Sequence, residues 1–471
     1  MADNNLSGAA AVVSRIVLTG KLVVKSPIRI GDGSGEENQN NDKDIWVQKN
    51  KEGYPFIPGT SMCGVLRCFV EDTMDKKKAN LIFGGSGKDD SQSLIQIFDT
   101  VLPGAKVVYR DGVAINHYTG VAIDKKKYDY EVVDKGEGSF RLEAVIRQTN
   151  AGYKSTIREA IIRIKDKLTA GIQVGAMTSK GLGLVKLTEA SLGCYNLAEN
   201  EADVRAWFMR PKVTGSDASD RMTDKLETNS SCHPFFAGDF ELRSTMIIRT
   251  ENPNLFDHDN KHIDKVFLKN SDGKYVVPGA SIKGVLRHQA RYILDKLWPN
   301  KNEAVESFIN NFMGYSDEDD NDKKIKSRFC VAESVLTDAV KEKVITRNRI
   351  DRITGGVIDS SLFTTVPVYQ AKKGKKALHI EFYIKPENGK KSDDAEIGLA
   401  LLLFRDLWQG QIALGGETGV GRGTLKGLSG TFIIGDKQYR INEAGEISSD
   451  NGDINALDTY VKALAQTQEV Q

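Results

Sequence analysis

The chain has 471 residues, 40% hydrophobic and 27% charged, enough for two or three domains that each bury a core. Its net charge of +1 does not announce a polyanion partner, but the sum hides local basic clusters at Lys76–Lys78, Lys125–Lys127 and Lys372–Lys376, each of which taken singly reads first as a solvated loop. Five cysteines without a CxxC pair fit a reducing compartment, and no apolar run reaches spanning length, so the sequence predicts a cytoplasmic protein with no membrane partner.

In chain order, Arg15–Val24 is rich in β-branched residues and predicts the opening strand. A polar Gly/Asn/Asp loop runs to Asp44, and a short hairpin closing near Gly53 leads to the turn Pro58-Gly59. Ser61 is expected to cap a helix whose apolar stripe is Met62, Val65, Leu66, Phe69 and Val70. Gly64 inside that helix suggests a close approach by backbone or ligand. Alternation in Gly112–Arg147 predicts a long β-hairpin carrying lysines and tyrosines away from the body, and Ser155–Leu168 has helical spacing. A glycine loop, Gly175–Gly183, and a last strand complete the order strand, helix, two strands, helix, strand.

The chain then repeats itself. Asp44–Arg67 and Asp264–Arg287 align without a gap at an offset of 220 (264 − 44 and 287 − 67), with eleven of 24 positions identical. INHYTG at Ile115–Gly120 returns as IDRITG at Ile350–Gly355, and a second glycine loop lies at Gly415–Gly423. A fixed-offset repeat of this length signals duplication. The expected division is a first module over residues 12–195, a linker over 196–237, a second module over 238–435 with Phe240–Thr250 as its opening strand, and a weakly packed polar tail over 436–471. The fold class is α+β, two ferredoxin-like βαββαβ modules in tandem with an insertion between the middle strands of each.

Neither glycine loop is a Walker loop, and both run from helix to strand rather than strand to helix. Glycines admit a phosphodiester to main-chain N–H groups, and Lys180 and Arg422 are suited to pair with it; a tight turn is the alternative. Asp44 and Asp264 each stand fourteen residues before the Pro of the helix turn. A carboxylate there suits general-base work on a ribose 2′-OH or a divalent metal beside a phosphate, against the alternative of a surface aspartate starting a strand. His117 aligns with Arg352, so the shared property is a cation rather than a histidine base.

The opening strand, the IPGTSMCGVLR and VPGASIKGVLR helices, the RDGVAINHYTGVA stretch and the glycine loops together resemble the RAMP superfamily, and within it the backbone subunits of type III CRISPR–Cas effector complexes; two modules in one chain resemble the tandem fusions of type III-D and III-E systems. The resemblance implies a palm that grips guide CRISPR RNA, a β-hairpin thumb over Gly120–Phe140 that kinks the guide–target duplex, and a loop aspartate that cuts complementary target RNA with a divalent metal ion such as Mg²⁺. On these residues the catalytic and metal-binding role falls on Asp44 and Asp264, with Asp42 as fallback. The implied RNA contacts are Ser61, Arg67, His117, Lys125, Lys126, Lys127, Lys180, Ser281, Lys283, Arg287, Arg352 and Arg422, with Cys63 departing where the second copy has Lys283. The implied partners are guide RNA, target RNA and other effector subunits. The alternatives are a non-catalytic RNA-binding scaffold and a guide-precursor endonuclease.

Overall fold

The structure, a computed structural model, describes residues 8, 10–31, 36–37, 43–44, 46–85, 91–116, 119–209, 233–250, 263–315, 324–386 and 392–467. The chain divides into two compact units: residues 1–109, 128–178 and 182–230, and residues 110–127, 179–181 and 231–471.

In the first unit the opening strand β1 (Val12–Val24) lies at the centre of an antiparallel sheet. It pairs with β5 (Glu137–Arg147) on one side and β6 (Leu184–Asn196) on the other; β2 (Ile95–Ile97) adds beyond β5, and Ile172–Gln173 beyond β6. Period-two alternation sends Ile16, Leu18 and Leu22 of β1 and Phe140, Leu142 and Ala144 of β5 to one face. There they meet α1 (Gly59–Thr73) through Met62, Leu66 and Val70, and α3 (Lys154–Ala170) through Ile157, Ile161, Ile164 and Leu168. Helix α2 (Lys76–Phe83) follows α1 and adds Ala79 and Ile82 to the same core.

The alternating runs near residue 130 are strands, but their pairing differs from the expected hairpin. β3 (Lys106–Ile115) pairs with β4 (Ala122–Lys135) as a two-stranded ribbon, whereas Phe140–Ala144 belongs to β5 in the central sheet. The ribbon therefore closes between Ile115 and Ala122, not between Tyr128 and Phe140. Alternation fixes which face a side chain takes but not which strand it pairs with.

The second unit repeats the plan. β7 (Phe235–Leu242) lies between β12 (Leu378–Ile384) and β13 (Leu425–Ile434), with β9 (Phe329–Val331) outside β12. Helices α4 (Gly279–Leu297), α5 (Asn302–Met313) and α6 (Asp394–Trp408) contribute Ile282, Leu286, Ile309, Phe312, Leu403 and Leu407 to its core. That core is aromatic: Phe236 stacks between Phe382 and Phe432 at centroid distances of 5.0 and 5.9 Å, Phe404 lies against all three, and Trp408 lies against Phe404 and Phe240. A Cβ on Gly427 would fall 2.2 Å from the Trp408 ring, so the strand must be bare at that point. A second small sheet joins Arg249–Thr250, β8 (Lys265–Phe267), β11 (Phe363–Val366) and β10 (Ile345–Arg347), with β8 parallel to β11.

Three expectations change. The second opening strand begins at Phe235 rather than Phe240, inside the expected linker, and the linker also carries a helix at Glu201–Met209. The tail is not weakly packed. β14 (Lys437–Asn442) and β15 (Ile447–Ser449) extend the sheet past β13, and α7 (Ala456–Gln466) packs on α6 through Leu457 and Leu464. Trp298 Nε1 donates to the Leu464 carbonyl at 3.2 Å. Sparse apolar residues on a two-sided polar background still bury one face each, which composition alone underrates.

Candidate nucleic-acid interface

The duplicated stretch folds alike, residue by residue. Asn50 and Asn270 close the hairpins: each side-chain oxygen accepts from the N–H groups two and four residues on, at Glu52 and Tyr54 and at Asp272 and Lys274. Gly53 (φ +83°) and Gly273 (φ +76°) supply the left-handed residue that each turn requires. Pro58 and Pro278 then cap helices that begin at Gly59 and Gly279.

Ser61 does not cap its helix, because the helix has already started. Neither Pro cap makes a side-chain bond, and in the first copy the Gly59 N–H is satisfied from outside by Asp99 Oδ1 at 2.8 Å. Arg67 Nη1 donates to the Gly84 carbonyl at 2.8 Å and Nη2 to Asn80 Oδ1 at 2.6 Å. Arg287 repeats both bonds, to Gly314 at 2.9 Å and Asn310 at 2.6 Å. These two arginines tie each helix to the end of the next, and burial lowers the Arg287 pKa. Gly64 and Gly284 meet no close approach: both are exposed, and a Cβ on either would have nothing within 4 Å.

Lys283 turns inward. It is 6% exposed, and its Nζ donates to Ser179 Oγ at 3.0 Å and Ser327 Oγ at 2.6 Å. Burial pushes its pKa down to about 7, with the nearby cations Lys180, Arg287 and Lys385 acting the same way and Cys330 opposing. Its first-copy counterpart, Cys63, is half-buried.

The two aspartates stand in different surroundings. Asp44 pairs through its backbone with Glu36 in a two-residue ladder; the fallback Asp42 lies outside the described residues. Asp264 is half-buried beside β11. Its N–H donates to the Thr364 carbonyl at 3.0 Å, and its Oδ2 accepts from the Thr364 N–H at 2.7 Å.

Asn116 and Asp351 play the same part in the two copies. Asn116 Oδ1 accepts from Thr119 N–H, Asp351 Oδ1 accepts from Ile353 and Thr354 N–H, and Gly120 (φ +67°) and Gly355 (φ +70°) follow. Arg352 is exposed, next to Ile353 at 93% exposure; His117 lies outside the described residues. Lys125, Lys126 and Lys127 are exposed on β4, with Lys125 at φ +57°.

The glycine loops match in backbone: φ is +89° and +92° at Gly175 and Gly415, +59° at both Met177 and Glu417, and +86° and +83° at Gly181 and Gly421. A 3₁₀ turn covers Thr178–Lys180 in one and Thr418–Val420 in the other. Lys180 is half-buried, while Arg422 is 4% exposed and paired through Nε with Glu417 Oε2 at 3.1 Å. Glu417, and Arg347 which also donates to it at 2.5 Å, were not legible as a site in the sequence; only the helix-to-strand glycine pattern pointed near them.

Among the described residues no group of three or more His, Cys, Asp or Glu is arranged to hold a metal ion, and no helix is long and apolar enough to cross a membrane. A chain in the cryo-EM structure of type III-B Cmr-beta bound to cognate target RNA is similar at 14% identity and a TM-score of 0.30, covering 38% of this chain and 61% of that one. A chain of the apo-state Cmr-beta structure is similar at 13% identity and a TM-score of 0.29, covering 38% of this chain and 98% of that one. No curated protein matches. Residues 21–186 and 233–426 each match the model of the RAMP superfamily. Those segments cover most of the chain and coincide with the two duplicated folds, so the chain belongs to the RAMP superfamily.

Proposed function

We propose that the chain is a tandem-fused backbone subunit of an RNA-guided type III CRISPR effector, of the III-D or III-E kind. In this reading it binds guide RNA along its phosphates and cleaves complementary target RNA at an aspartate in each module. The observation that carries the reading is the double match to the RAMP family together with turn-for-turn duplication of the polar loops, not only of the cores. Two sheets with the opening strand central and the helices on one face support a ferredoxin-like palm in each module. The β3–β4 ribbon with Lys125–Lys127, and the turn bearing Arg352, fit thumbs that meet a polyanion.

In this reading Asp264 acts on the ribose 2′-OH of the nucleotide that the thumb unstacks, and the bond from the Thr364 N–H holds its carboxylate in one orientation. A carboxylate there suits a divalent ion that would take its other ligands from phosphate and water, the donor set Mg²⁺ favours. Such an ion would neutralise charge on the phosphate. Base pairing supplies sequence recognition, and the protein reads backbone shape.

One observation favours the scaffold reading for the second module: Asp264 is bonded to Thr364 on both its N–H and its carboxylate, which is also how a purely structural aspartate starts a strand. The test is to purify the chain with whatever assembles on it, sequence the bound RNA, and assay complementary RNA with Mg²⁺ and with chelator. Guide-type RNA and metal-dependent cutting are expected. Absence of bound RNA would overturn the reading, and bound RNA without cutting would leave the scaffold.

A further inference from the structure

The two glycine loops share a backbone but not a chemistry. In the first, Met177 and Leu182 join Tyr130 and Val132 in a small apolar cluster. In the second, the same positions (417 − 177 = 240 and 422 − 182 = 240) carry Glu417 and Arg422. Gly175 packs on the Arg29 carbonyl and Gly415 on the Ile247 carbonyl, which sets Gly31 opposite Arg249. Arg249 lies against the loop, its Nε 2.8 Å from where a Cβ on Gly416 would be, and Arg347 reaches it from β10. Two guanidinium groups thus share one carboxylate and a third lies along the same loop, where an apolar cluster supports the identical turn in the other copy.

The turn therefore does not require the charges. Glu417 bridges Arg347 and Arg422 through a single oxygen, Oε2, at 2.5 and 3.1 Å, and Arg422 Nη1 is buried with no hydrogen-bond partner. A buried guanidinium with an unused donor is costly unless an acceptor reaches it. The three side chains are graded outward, from the buried Arg422 through Glu417 to Arg347, whose side chain is 27% exposed.

We propose that Arg249, Arg347 and Arg422 form a phosphate site in the second module and that Glu417 occupies it as a placeholder in the absence of nucleic acid. A phosphodiester meets Arg347 first and displaces the Glu417 carboxylate. Its several oxygens then serve donors that one carboxylate oxygen cannot, including the Arg422 Nη1 N–H. The inference rests on the RNA-binding reading and adds its location and its regulation. The first module, with Met177 and Leu182, has no such latch.

The test uses the full chain with Glu417→Met, which borrows the residue that the same turn accepts at position 177, and with the double variant Glu417→Met/Arg422→Leu. Binding of a labelled single-stranded RNA and the thermal midpoint with and without inorganic phosphate are measured. Glu417→Met should bind RNA more tightly, on the order of tenfold, the worth of one charge-assisted hydrogen bond. Its midpoint should be lower than wild type alone and rise further with phosphate, and the double variant should lose both effects. Wild-type RNA binding with no gain in Glu417→Met overturns the latch while leaving the RNA reading intact. If the wild type binds no RNA, that reading fails, and the phosphate arm decides the latch: a larger phosphate-induced rise in Glu417→Met supports it, and an equal one overturns it.

Discussion

Replacing Lys283 with methionine should stabilise the second unit near neutral pH, and the gain should vanish in alkali. The ammonium is 6% exposed, with two hydroxyl oxygens accepting from it. A pKa of about 7 instead of 10.5 means that burial, with the neighbouring cations, disfavours the charged form by about 5 kcal/mol, at roughly 1.4 kcal/mol per unit. For a base with a depressed folded pKa, the unfolded chain holds more protons between pH 7 and 10.5. Stability therefore rises with pH across that window, and the penalty is fully present below it. Methionine conserves volume and removes the penalty, while two hydrogen bonds of about 1 kcal/mol each are lost. The net gain should be about 3 kcal/mol at pH 6, falling to zero or below by pH 10. Urea unfolding of both proteins at pH 6, 8 and 10, followed by tryptophan fluorescence, measures it. A wild-type stability that falls from pH 7 to 10 relative to the variant, or a variant no more stable at pH 6, would refute the reasoning.

Arg67→Leu and Arg287→Leu should each cost about 2–3 kcal/mol in thermal or urea unfolding, since each loses two bonds that tie neighbouring helices; unchanged stability would show that these bonds do not hold the helices together. Gly284→Ala should stabilise by about 1 kcal/mol, because the added methyl meets nothing and helix propensity improves. A simultaneous loss of RNA affinity in that variant would locate the bound strand against this exposed helix face. Gly427→Ala should destabilise by about 1–3 kcal/mol, because its methyl overlaps the Trp408 ring; a neutral result in calorimetry would show that the aromatic core yields there.

The duplication was legible because it lies in sequence, and so were the elements whose signal is local. The stripe Met62, Leu66 and Val70 and the turns at Gly53 and Gly273 are where periodicity and turn chemistry put them. Non-local information was out of reach. Nothing in the spacing of Phe140 distinguishes a strand paired with Tyr130 from one paired with β1. Ser61 looked like a cap because Ser commonly is one, but Pro58 starts the helix earlier and Asp99, forty residues on, serves its first N–H. The resemblance implies RNA contacts at Arg67, Arg287 and Lys283, and their intramolecular bonds have no local signal because the partners come from segments folded over them. The Glu417–Arg347–Arg422 cluster joins side chains seventy residues apart and had no linear signature.

The most direct test maps the cuts in a complementary RNA made by the assembled complex, comparing wild type with Asp44→Ala, Asp264→Ala and the double variant. Two cut positions are predicted, with each single substitution abolishing one and the pair abolishing both while guide RNA stays bound. Undiminished cutting by the double variant would contradict the claim that each module carries its own catalytic aspartate.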